Sequence, residues 1–108
     1  MADLNPPGNA LVVVDVREEN GTPVIWLSGE LDHISAGQAR TAIDAALASH
    51  PDRVVLEASG VTFIDSSGIA LLAAVTRKAR EVQVRNPTPI LRRLIELTGL
   101  DTILQVTP

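Results

Sequence analysis

Five short β-branched runs alternate with three apolar segments of helical spacing, and that order constrains the fold more than any other feature of the chain. Leu11-Val12-Val13-Val14-Asp15-Val16 and Val24-Ile25-Trp26-Leu27 flank Glu18-Glu19-Asn20-Gly21. The Asn-Gly pair favours positive φ and a tight turn, so these runs predict a hairpin. Ser35-Ala36-Gly37-Gln38 has the form of a capping box, followed by Ala39, Ala42, Ile43, Ala46 and Leu47 at helical spacing, which predicts a helix to about Ser49. His50-Pro51-Asp52 stops it, because proline disfavours helical geometry in its predecessor. Arg53-Val54-Val55-Leu56 then reads as a short buried strand ending before a turn at Ser59-Gly60. Asp65-Ser66-Ser67 supplies cap residues for a second helix over Gly68–Val75, apolar on nearly every face and so buried on one side and available on another. Glu81–Arg85 alternates with the period of a strand. Thr88 and Pro89 open a third helix with Leu91, Leu94, Ile95 and Thr98 inward, Gly99 ends it, and Ile103–Val106 closes as a last strand. The order β-β-α-β-α-β-α-β implies an α/β fold, α+β under some conventions: a mixed sheet, largely parallel after the hairpin, with helices packed on it.

A chain of 108 residues suits one domain. Residues 1–10 are rich in Pro, Asn and Gly and read as a flexible tail, leaving 11–108 as a single domain. The absence of cysteine excludes disulfides and thiolate metal sites. No signal-like start and no membrane-length apolar segment appear, so the expectation is a cytoplasmic protein without membrane insertion. Net charge is -4, with Arg77, Lys78, Arg80 and Arg85 offset by carboxylates, which argues against nucleic acid as a direct partner. Trp26 and Phe63 are the only aromatic residues. The core must therefore be aliphatic, and no ring platform for bases or sugars exists.

Two segments could carry function. In Leu27-Ser28-Gly29-Glu30-Leu31-Asp32-His33 a strand runs out into a loop bearing two carboxylates and an imidazole; the plainer reading is that Asp32 caps the next helix and His33 faces solvent. In Asp65-Ser66-Ser67-Gly68 a strand passes into a helix, where free backbone amides and the helix dipole would favour a phosphoryl group on serine. The plainer reading there is an ordinary N-cap. A hydrolase would use Ser66 as nucleophile with His33 or His50 as base, but no Gly-x-Ser-x-Gly elbow surrounds the serine. A metal held by Asp32, His33 and Asp65 would need ligands converging from two loops, and no metal is expected.

Taken together, the hairpin, Gly29-Glu30-Leu31-Asp32-His33, Phe63-Ile64-Asp65-Ser66-Ser67-Gly68 and the late Leu97-Thr98-Gly99-Leu100 resemble the STAS family, specifically bacterial anti-sigma factor antagonists, over about residues 11–106. The resemblance implies a mixed sheet of about five strands with helices packed against it, no catalysis and no cofactor. It also implies phosphorylation of Ser66 by a partner anti-sigma factor that is itself a serine kinase, reversed by a phosphatase, with Glu30, Asp32, His33, Asp65, Ser66, Ser67 and Gly68 at the partner surface. In such proteins the unphosphorylated form binds the anti-sigma factor and frees the sigma factor. The same family includes regulatory subunits of lipid-exporting ABC transporters, to which Gly68-Ile69-Ala70-Leu71-Leu72 is similar, and this gives the alternative function.

Overall fold

A computed structural model describes residues 12–108, so the expected tail and Leu11 lie outside the described residues. The elements are β1 (Val12–Glu19), β2 (Thr22–Leu31), α1 (Ser35–Ala46), β3 (Arg53–Ile64), α2 (Ser66–Val75), β4 (Glu81–Arg85), α3 (Pro89–Thr98), a 3-10 turn at Leu100–Thr102 and β5 (Gln105–Thr107). They build a mixed five-stranded sheet in the order β1-β2-β3-β4-β5, antiparallel only between β1 and β2. Asn20 and Gly21 take φ of 53° and 82° in the hairpin turn, as the Asn-Gly pair predicts.

Ile25, Leu27, Val54, Leu56, Val82 and Val84 meet Ile43 and Leu47 of α1, Leu72 and Val75 of α2, and Leu91 and Ile95 of α3 in one aliphatic core. All three helices therefore cover one face of the sheet. The opposite face carries Trp26, Glu57 and Arg85 side by side in register. Arg17 lies 4.9 Å above the Trp26 ring, Arg85 at 6.0 Å. Here long charged side chains take the place of a second helical layer, laying their stems on the sheet while their charged heads pair. Glu57 is only 2% exposed. It accepts from the Ser59 N–H, Arg85 Nε and Asn86 Nδ2, each at 3.0 Å, and Arg85 also reaches Glu19.

Several local expectations are corrected. Ser59-Gly60 is no turn: β3 runs unbroken from Arg53 to Ile64. Gly60 is needed there for close approach, since a Cβ on it would meet the Ser28 Cβ at 2.5 Å. The partner of β2 jumps from Glu57 to Gly60 between Trp26 and Ser28, and from Val61 to Phe63 between Gly29 and Glu30, so β3 carries two bulges. The second bulge leaves Thr62 and Phe63 both outward while Val61 and Ile64 both point inward. Helix α1 ends at Ala46 rather than near Ser49, and the chain turns with His50 at φ 53°. Thr88 holds the N-cap position of α3 without a side-chain bond, its Oγ1 buried and unpartnered. Thr98 is exposed rather than inward and bonds back to the Leu94 carbonyl. The last strand begins at Gln105 because Leu100–Thr102 tightens into the 3-10 turn, with the Leu104 N–H bonded to the Leu100 carbonyl.

Candidate functional site

Parallel strands β2 and β3 end side by side, with Leu31 opposite Ile64 in register. Both are buried. The chain leaves the sheet directly afterwards, at Asp32 from β2 and at Asp65 from β3, and the Asp65 N–H donates to the Leu31 carbonyl at 3.2 Å. The two motifs singled out in the sequence are thus brought to one spot, at the carboxyl edge of the sheet where parallel folds build their sites.

Asp32 is turned into its own loop. Its Oδ1 accepts from the Ile34 N–H at 3.0 Å, the Ser35 N–H at 2.9 Å and lies 3.0 Å from Ser35 Oγ. The Ser35 N–H above all, then the Ser35 hydroxyl and the Ile34 N–H, hold the Asp32 carboxyl below its ordinary range against a smaller opposing effect of desolvation. Ser35, fully buried, bonds the Glu30 carbonyl at 2.5 Å and accepts from the Asp32 N–H at 2.9 Å. The expected capping box between Ser35 and Gln38 does not form. Ser35 is already the first residue of α1, Ile34 stands at the N-cap, and Asp32 satisfies the free amides from outside the helix.

At the second junction Asp65 is the N-cap of α2, and its Oδ1 accepts from the Ser67 N–H at 2.8 Å and the Gly68 N–H at 3.4 Å. This corrects the expectation of free amides at the helix start: a carboxylate already occupies them. Ser66 follows as the first helical residue and is exposed, whereas Ser67 is half-buried between α1 and α2. Gly68 is buried against the end of β2, where a Cβ would meet Ile64 Cγ1 at 2.5 Å and the Leu31 carbonyl oxygen at 2.8 Å. Only glycine lets the helix start so close to the strand.

Glu30 and His33 are exposed beside this junction. His50 is not brought near: it precedes β3, whereas Ser66 follows that strand's 12 residues, a separation on the order of 35 Å at about 3.3 Å per residue. Among the described residues no hydrogen bond joins Ser66 to a histidine, and no group of three His, Asp or Glu could hold a metal ion. Among the described residues Ser66 lines none of the larger hollows. A hollow of about 410 Å³ opens among Thr22, Asp52, Arg53, Arg80 and Glu81 at the other edge of the sheet, while Ser67 borders a furrow of about 180 Å³ between α1 and α2. An exposed hydroxyl in this setting is open to a group delivered by another protein.

Sequence reading missed two exposed apolar side chains at this edge, Ile34 (67% exposed) and Phe63 (44%). A fully helical reading from Ser35 gives no hint of the first, and the second depends on a bulge.

The family model described as Mlab, STAS domain matches residues 14–106. The chain belongs to the STAS-domain family. Among its relatives is the anti-sigma-F factor antagonist RsfB of Mycobacterium tuberculosis, 35% identical over 95 residues that cover 83% of this chain and 76% of RsfB. The crystal structure of an anti-sigma factor antagonist from Mycobacterium paratuberculosis matches with a TM-score of 0.84 at 34% identity, covering 90% of this chain and 86% of that one. SpoIIAA, an anti-sigma factor antagonist, matches in its unphosphorylated form with a TM-score of 0.73 at 25% identity and 89% coverage of both chains. Its phosphorylated form, from Bacillus, matches with 0.68 at 25% identity, covering 89% of this chain and 92% of that one.

Proposed function

We propose that this chain is an anti-sigma factor antagonist acting in the cytoplasm, and that phosphorylation of Ser66 switches it off. The unphosphorylated form binds an anti-sigma factor and frees a sigma factor. The anti-sigma factor, as a serine kinase, transfers the γ-phosphoryl group of ATP to Ser66 Oγ while the hydroxyl proton passes to a base of the kinase, and a phosphatase later hydrolyses the ester. Glu30, Asp32, His33, Asp65, Ser67 and Gly68 form or support the surface around that serine. The observation that carries this reading is the exposed Ser66 at the junction where the two loops meet, one residue after a cap that leaves the hydroxyl free. Phosphate adds about -1.5 to -2 charges there. Because Asp65 already takes the amides of Ser67 and Gly68, the new charge stays outward, where a docked partner would have to bury it. The match of this chain to SpoIIAA with and without phosphate supports a switch that leaves the fold unchanged.

Incubation with an anti-sigma kinase, ATP and magnesium, followed by intact-mass and fragment mass spectrometry, tests the assignment. One phosphate, placed on Ser66 and absent from Ser66→Ala, is the expected result; phosphate on Ser67 alone overturns it. A STAS subunit that only docks on a transporter, the second reading, needs no hydroxyl at the start of α2 and would remain unlabelled.

A further inference from the structure

Ile34 is a large apolar side chain held in water by a rigid loop. At 67% it is among the most exposed hydrophobic residues of the described chain, and its solvation brings no gain to the fold. Nothing about its backbone is loose. The Ile34 N–H is bonded to Asp32 Oδ1, and the residues on either side are tied by the Ser35 N–H to the same oxygen and by Ser35 Oγ to the Glu30 carbonyl and the Asp32 N–H. Asp32 is therefore spent inside the loop. Leu31, three residues before Ile34, accepts from the Asp65 N–H, so Ile34 and Ser66 project from adjoining strand ends. The furrow lined by Ala36, Gly37, Arg40, Ala70 and Leu71 begins two residues beyond Ile34 and is bordered by Ser67. A knob beside a shallow hollow, pre-organised by the hydrogen bonds of its own loop, is the form of an interface anchor that need not be ordered on binding.

We infer that Ile34 is the anchor by which the anti-sigma factor of the preceding section is held, and that Asp32 and Ser35 are positioning residues that keep it extended. This inference rests on that functional reading and deepens it. The partner offers an apolar hollow for the isoleucine side chain, next to the place where Ser66 is covered. Phosphate on Ser66 then acts at short range: it puts a strongly hydrated group at the edge of an apolar contact and must be desolvated for the complex to close. The carboxylates of Asp32 and Asp65 are tolerated in the complex because they already accept hydrogen bonds within the fold.

The test is calorimetric titration of the anti-sigma factor encoded in the same genome into the parent chain, Ile34→Ala, Asp32→Ala, the double variant and Leu97→Ala. Leu97 is 69% exposed on α3 and serves as a control of equal greasiness away from the site. Ile34→Ala is expected to bind at least about tenfold more weakly with an unchanged melting temperature, as expected for the loss of an interface anchor, and Leu97→Ala like the parent. The Ile34→Ala loss should persist undiminished at high salt, which screens charges but not apolar contacts. Asp32→Ala should weaken binding, yet add little once Ile34 is alanine, which a direct Asp32 contact would not show. Equal binding by Ile34→Ala and the parent, or equal losses for Ile34→Ala and Leu97→Ala, overturns the anchor; a full additional loss from Asp32→Ala in the double variant overturns its positioning role. If the parent itself binds no anti-sigma factor, the functional reading falls and this inference falls with it.

Discussion

The Asp65 N–H donates to the Leu31 carbonyl, and this one bond joins two loops that lie more than thirty positions apart in the chain. It works because β2 and β3 are parallel and end in register, so both chains leave the sheet at the same height. The Asp32 loop and the Ser66 helix are consequently parts of one rigid edge rather than two independent segments.

Gly68→Ala tests that rigidity. The added methyl would meet Ile64 Cγ1 and the Leu31 carbonyl oxygen well inside contact distance, and either α2 must retreat or the strand end must move. A loss of about 1–3 kcal/mol is expected in denaturant unfolding, as for an overpacked core. An unchanged midpoint would show that the helix start is not held against β2.

The cap of α2 is tested by Asp65→Asn and Asp65→Ala. Asparagine can still accept from the Ser67 and Gly68 amides and should change stability by a few tenths of a kcal/mol, whereas alanine should cost about 1 kcal/mol. Thermal melts of the two variants with equal midpoints would contradict the capping role.

Glu57 gives a pH signature. Burial acts to raise its pKa, but the bonds from Ser59, Arg85 and Asn86 together outweigh that and hold it below the ordinary 4.5. A carboxyl with a depressed folded pKa stabilises the fold above its unfolded value and loses that contribution as pH falls through the folded one. Glu57→Gln should therefore cost about 1.5–3 kcal/mol at pH 7, the range for hydrogen bonds to a charged group, with the gap to the parent closing as pH drops below about 4.5. A gap that widens in acid would contradict the assignment.

The strand and helix order was legible in the sequence because period-two and helical spacing act locally, and the two motifs of the candidate site could be picked out because Asp32 and Asp65 each follow a buried strand. The departures come from tertiary contacts. Ser59-Gly60 looks like a turn because its residues favour one, yet the close approach of Ser28 makes Gly60 part of a bulged strand. Ser35 matches a capping-box serine locally, but burial under the loop directs its hydroxyl to the Glu30 carbonyl instead. The outward Phe63 follows from a bulge whose register is set by β2, and no reading of β3 alone contains that information.

Calorimetric titration of one anti-sigma factor into the parent, Ser66→Ala and Ser66→Asp, with circular dichroism as the fold control, tests the switch most directly. Ser66→Ala should bind like the parent, since the exposed hydroxyl makes no hydrogen bond among the described residues. Ser66→Asp should keep the native spectrum, yet bind at least about a hundredfold more weakly, because burying an unpaired charge against a partner costs several kcal/mol and each 1.4 kcal/mol is about tenfold in affinity. Equal affinities for Ser66→Asp and the parent would contradict the account.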